Sequence, residues 1–105
     1  MEIDILYFDD CPNHTAAGEL VREVLAERGA DADVRKIRVE TPAEAERVRF
    51  LGSPTVRVDG RDVEPGAEQR QDYVLACRVY RTAEGSSGLP DRDWVVAALD
   101  AAARR

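Results

Sequence analysis

Residues 3 to 8 read IDILYF, an almost wholly apolar run that stops at Asp9 and Asp10 and is followed at once by Cys11 and Pro12. A run of this kind belongs to a central strand covered on both faces, so the rest of the chain must provide a layer on each side of it. The next segment provides one. From Pro12 to Arg28 the apolar positions Ala16, Ala17, Leu20, Val21, Val24 and Leu25 recur about every four residues, which predicts a helix with one buried face. Pro12 suits the first helical position, where a missing N–H costs nothing, and Gly29 suits the left-handed position after the end.

Ala32, Val34, Ile37 and Val39 are interrupted by Asp33, Arg35, Lys36 and Arg38, the mixed pattern of a strand at a sheet edge. Thr41 is placed to cap a second helix, with Pro42 at its first position, Glu44 completing a capping box, and Ala45, Val48 and Leu51 as the buried stripe. After Gly52, the stretch SPTVRVDGRDVEP predicts two antiparallel strands, Thr55 to Val58 and about Arg61 to Glu64, turning through Asp59 and Gly60. Residues Gly66 to Gly88 fit two patterns. Tyr73, Leu75, Cys77 and Val79 alternate with their neighbours as in a strand, while Tyr73, Cys77 and Tyr80 also fit helical spacing. EGSSGLP reads as a loop, and Asp91 as the cap of a last helix that buries Trp94, Val95, Ala98, Leu99 and Ala102. The expected order is β-α-β-α-β-β-α, a single α/β domain with a four-stranded mixed sheet flanked by helices.

At 105 residues the chain is the size of one domain, and its 21 acidic against 15 basic residues give a net charge of −6. That balance argues against nucleic acid or an anionic membrane surface as a partner. No stretch approaches the ~20 apolar residues of a membrane span, and a cytoplasmic location is expected. Two cysteines, Cys11 and Cys77, are too few for a disulfide scaffold. In a reducing compartment such thiols are catalytic, redox-sensing, metal-binding or simply buried.

Cys11 is the thiol with a chemical setting. Between a strand and a helix that opens at Pro12, its sulfur is expected beside unpaired N–H groups, and the helix dipole favours a thiolate there. Asp9 and Asp10 oppose this, because neighbouring carboxylates disfavour a second negative charge. Farther along, Pro54 stands directly before a strand in the sequence GSPT, a position where a proline bends an edge or takes the cis form.

Cys11-Pro12 at the first strand-helix junction, Ser53-Pro54-Thr55 before the third strand, and the closing helix together resemble the thioredoxin superfamily across essentially the whole chain. More narrowly, the sequence is similar to small bacterial thioredoxin-like proteins that begin YFDGCPN and continue FLGSPTIRVDG. Some of their relatives are selenoproteins, and some carry an alkylmercury lyase label. The resemblance implies a thioredoxin-like fold with a cis Pro54 facing Cys11. It also implies a thiol or disulfide substrate, glutathione among the candidates, held at Pro12, Ser53, Pro54 and Thr55, with the Ser53 backbone free to pair with it.

One departure matters. Thioredoxins carry a second cysteine three residues after the first, and here that position is His14. Without it the dithiol cycle cannot run inside the motif. Cys11 then relies on an outside thiol, or on Cys77 if residues 66 to 88 fold back over the site. His14 can serve as a proton donor to a leaving thiol, or simply occupy the surface near the helix start. The same atoms allow two other functions. Cys11, His14 and Cys77 can bind a soft metal such as mercury, although a structural zinc site wants four ligands. A redox-inert adaptor would instead dock a partner at Pro54. Neither a cofactor nor a resident metal is expected.

Overall fold

The computed structural model describes residues 1–104. Its elements are β1 (Glu2–Tyr7), α1 (Asn13–Glu27), β2 (Asp33–Arg38), α2 (Pro42–Arg47), β3 (Thr55–Val58), β4 (Arg61–Asp62), a 3-10 turn (Ala67–Gln69), β5 (Tyr80–Thr82), β6 (Gly85–Ser87) and α3 (Arg92–Ala103). The main sheet has the order β2-β1-β3-β4, with β1 parallel to β2 and antiparallel to β3, and β3 antiparallel to β4. The apolar run therefore lies inside the sheet, and the charged β2 lies at its edge, as their compositions demand.

Ile3 and Ile5 of β1 pair across to Val58 and Val56 of β3 and join Ala17, Val21 and Val24 of α1 with Val95 and Leu99 of α3 in one core. Burying side chains of this type contributes about 1.5–3 kcal/mol each. The alternate residue Leu6 points into a second, smaller core with Val39, Ala45 and Phe50. The sheet is thus covered by α1 and α3 on one side and by the short α2 on the other.

The capping signals are expressed. Thr41 Oγ1 accepts from the Glu44 N–H at 3.1 Å, and the Glu44 carboxylate accepts from the Glu40 N–H at 3.0 Å. Thr41→Ala is expected to cost about 1 kcal/mol in a urea titration, with the site thiols unaffected. Asp91 likewise caps α3 through the Asp93 N–H at 2.8 Å. Pro12, by contrast, takes the N-cap position rather than the first helical turn. The β3-β4 turn has positive φ at both Asp59 (49°) and Gly60 (85°), the backbone of a two-residue hairpin turn that matches strand twist.

Two expectations need correction. α2 stops at Arg47, so Val48 and Leu51 do not share a helical stripe; Arg49 has φ 58°, which turns the chain and drives Phe50 into the smaller core instead. EGSSGLP is not all loop, since Gly85–Ser87 pairs with Tyr80–Thr82 in a separate two-stranded ladder. That ladder adds two strands to the expected order. Residues 70 to 79, ambiguous in the sequence, form neither a helix nor a strand of the main sheet but an extended strap over residues 50 to 53. Among the described residues no helix is long and apolar enough to cross a membrane.

Candidate functional site

Cys11 follows directly from the end of β1. Its N–H donates to the Phe8 carbonyl at 3.0 Å, a tight turn that carries the side chain under the neighbouring loop, and the residue is 0% exposed. The Cys11 thiol donates to the Ser53 carbonyl oxygen at 3.3 Å. Ser53 is tied back to β1 as well, because its hydroxyl accepts from the Phe8 N–H at 3.0 Å. The Ser53–Pro54 peptide bond is cis. The sulfur thus meets a carbonyl, whereas the sequence suggested the open N–H groups of the helix start.

The strap completes the site. Val74 N–H donates to the Phe50 carbonyl at 2.9 Å, Ser53 N–H donates to the Ala76 carbonyl at 2.7 Å, and Arg78 N–H donates to the Ser53 carbonyl at 2.8 Å. Ser53 and Cys77 are therefore partners in a short parallel bridge. The Ser53 backbone is not free: its N–H is spent on Ala76, and its carbonyl accepts from both Arg78 and Cys11, which uses both lone pairs. Pro54 and Thr55 are similarly engaged. Tyr80 O–H donates to the Pro54 carbonyl, while Thr55 Oγ1 donates to the Gly52 carbonyl at 2.7 Å and accepts from Arg78. Ser53, Pro54 and Thr55 thus serve here to hold the strap, and Pro12 sits exposed at the start of α1.

Arg78 is the strap's anchor. It is 2% exposed, and its guanidinium meets Asp62 at 2.7 and 3.1 Å, Glu64 at 2.7 Å and Thr55 Oγ1 at 3.1 Å, with the Tyr80 ring 4.3 Å away on its face. Burial alone would push Arg78 down, but the Asp62 hydrogen bonds, the Tyr80 and Asp62 charges and the Glu64 hydrogen bond outweigh it and hold the guanidinium above its ordinary value. Burial also pushes the Tyr80 hydroxyl up, so it stays a donor. Gly52 fits beneath because it lacks a side chain. A Cβ there would stand 2.9 Å from Arg78 Cβ and 3.1 Å from the Ala76 oxygen, and its φ of 114° is closed to other residues in any case.

With the strap fixed, Cys77 pairs with Ser53, the residue whose carbonyl accepts from the Cys11 thiol, and its own side is open to solvent. A hydrogen bond with Cys11 pushes the Cys77 thiol up, helped by partial desolvation and by the charges of Cys11 and Asp10.

His14 is drawn elsewhere. Its ring stacks on Tyr7 with centroids 4.5 Å apart, and Lys36 Nζ lies 2.7 Å from Nδ1 and 4.8 Å from the Tyr7 ring centre. Among the described residues it makes no hydrogen bond to Cys11. The metal-binding trio of Cys11, His14 and Cys77 is likewise not assembled, since no group of three or more His, Cys, Asp or Glu among the described residues is placed to hold an ion.

Arg78, Tyr80, Asp62 and Glu64 were missed in the sequence. Ala76, Arg78 and Tyr80 share one parity of the alternation, opposite to Cys77, and an arginine of inward parity requires buried acids nearby; the hairpin residues Asp62 and Glu64 were the available pair. Comparison of the chain with protein-family models finds no match, and comparison with curated proteins and with solved structures finds none either, so the reading of this site rests on its own geometry.

Proposed function

We propose that this is a thioredoxin-like thiol-disulfide exchange protein in which Cys11 and Cys77 form a single dithiol/disulfide couple. The observation that carries this reading is that the exposed Cys77 pairs with Ser53, the residue whose carbonyl accepts from the buried Cys11 thiol. The sheet order, the helix that follows Cys11 and the cis proline beside it support the thioredoxin-like part. Cys77 takes the role of the cysteine absent at position 14, reaching the site through the strap rather than along α1.

The chemistry is a two-electron exchange. An outside disulfide RSSR is reduced to two RSH while the Cys11 and Cys77 thiols are oxidised to one disulfide and release their protons to the leaving thiolates. The natural RSSR is a small disulfide of the glutathione type. The adaptor reading loses its binding edge, because the Ser53 backbone is already paired. Intact-mass measurement after treatment with oxidised glutathione tests the proposal: wild type is expected to lose two hydrogens, and Cys77→Ser is not. A wild-type protein that stays reduced, or holds only glutathione adducts, would sink the couple.

A further inference from the structure

Resting on that couple, the geometry points to an order of events at the two sulfurs: mixed disulfides with outside thiols form on Cys77, and Cys11 reacts only with Cys77. Three observations carry this. Cys11 is 0% exposed, whereas Cys77 is exposed. The backbone edge that would steer an extended chain toward Cys11 is already bonded in both directions, Ser53 N–H to Ala76 and Ser53 carbonyl to Arg78. The strap that occupies this edge is held at its far end by two buried side chains, Arg78 and Tyr80, each bonded to residues of the Pro54 to Glu64 segment. Residues 76 to 78 therefore occupy the Ser53 edge that an added strand would need, and Cys77 is the residue paired with Ser53 there.

The substrate class follows. An extended polypeptide cannot add to Ser53 while the strap is there, so the partner must bring its sulfur to Cys77 from solvent. Small thiols and disulfides satisfy this, as do cysteines on protruding ends. In the oxidised protein, a thiolate RS⁻ attacks Cys77 Sγ. The Cys11–Cys77 bond breaks, its electron pair leaves on Cys11 Sγ, and Cys11 takes up a proton, giving Cys77–S–S–R. A second RSH attacks the sulfur of R, releasing RSSR and the Cys77 thiol. Oxidation runs the same steps backwards through the same mixed disulfide: Cys77 attacks RSSR, RSH leaves, and Cys11 then attacks Cys77 and expels the second RSH.

The test uses oxidised glutathione on the single-cysteine variants, read by intact mass. Cys11→Ser is expected to accumulate one glutathionyl group on Cys77 roughly tenfold or more faster than Cys77→Ser acquires one on Cys11, because accessible thiols react and buried ones do not. Equal rates, or faster labelling of Cys77→Ser, would overturn the order while leaving the couple intact. Since serine in a fully buried position can unfold Cys11→Ser, folded wild type is also alkylated with iodoacetamide and mapped by peptide mass. Cys77 must then be labelled before Cys11, and the opposite order overturns the inference without reference to any variant. If wild type also fails to form the internal disulfide, it is the couple itself that has failed.

Discussion

Arg78→Ala is expected to lower the unfolding free energy by about 3–5 kcal/mol, the range measured when one partner of a buried ion pair is removed. The size follows from what is left behind. Asp62 and Glu64, with side chains only 11% and 19% exposed, lose the cation to which they are bonded, and Thr55 Oγ1 loses a donor. Tyr80 loses the guanidinium over its ring as well. Urea unfolding of the reduced protein measures the loss. Because Arg78 is also the strap's anchor, a second effect is expected in the native state: Cys11 becomes alkylatable at denaturant concentrations far below the unfolding midpoint, since the strap opens before the core does. Arg78→Met keeps the volume of the side chain but not its charge, so it should lose nearly as much stability. A loss below about 1 kcal/mol for both variants would mean that Asp62 and Glu64 turn to solvent easily, and that the strap is held by its backbone bonds alone.

The parts of the fold that were legible in the sequence are those whose determinants are local. The IDILYF run, the three- and four-residue spacing of Ala17, Val21 and Val24, the Thr41 and Asp91 caps and the Asp59-Gly60 turn each act within a few residues, and each appears in the structure where its pattern placed it. The boundaries slipped where a single backbone angle decided, as at Arg49, where a positive φ follows the early end of α2 and Phe50 is buried in the smaller core with Val48 packed against it. Residues 70 to 79 were not legible because, past the local Arg70–Asp72 pair, distant residues hold them. Residues 74 to 78 bond to Phe50, Ser53, Thr55, Asp62 and Glu64, and a stretch held by distant residues carries no periodicity of its own. The site divides in the same way. Cys11 and Pro54 were marked by their positions at element boundaries. The placement of Cys77 and the Cys11 thiol at the same residue, Ser53, and the diversion of His14 to Tyr7 and Lys36, arise from tertiary packing.

Oxidation of wild type to the Cys11–Cys77 disulfide is expected to stabilise the folded protein by roughly 2–4 kcal/mol, raising the thermal midpoint by about 10 °C or more. The bridge would close a loop of about 67 residues, for which chain entropy alone supplies about 4 kcal/mol, and native strain and residual structure in the reduced unfolded chain subtract from it. Strain should be small, because Cys77 already pairs with Ser53 and the Cys11 thiol is bonded to that same residue, so the bridge should form with the strap in place. Linkage makes the relation reciprocal: whatever the disulfide adds to the fold, the fold adds to the disulfide, and at about 1.4 kcal/mol per 30 mV the couple in the folded chain becomes more reducing than in the unfolded one by roughly 45–90 mV. Calorimetry of reduced and oxidised wild type measures the first quantity, and equilibration with glutathione in the presence and absence of denaturant measures the second. Cys77→Ser must abolish the oxidation-dependent shift while leaving the reduced midpoint nearly unchanged, since the side chain it replaces faces solvent. An oxidised protein that melts at or below the reduced one would mean that the bridge forms only when the strap is pulled from its place, and Cys11 and Cys77 would then not be a couple of the native state.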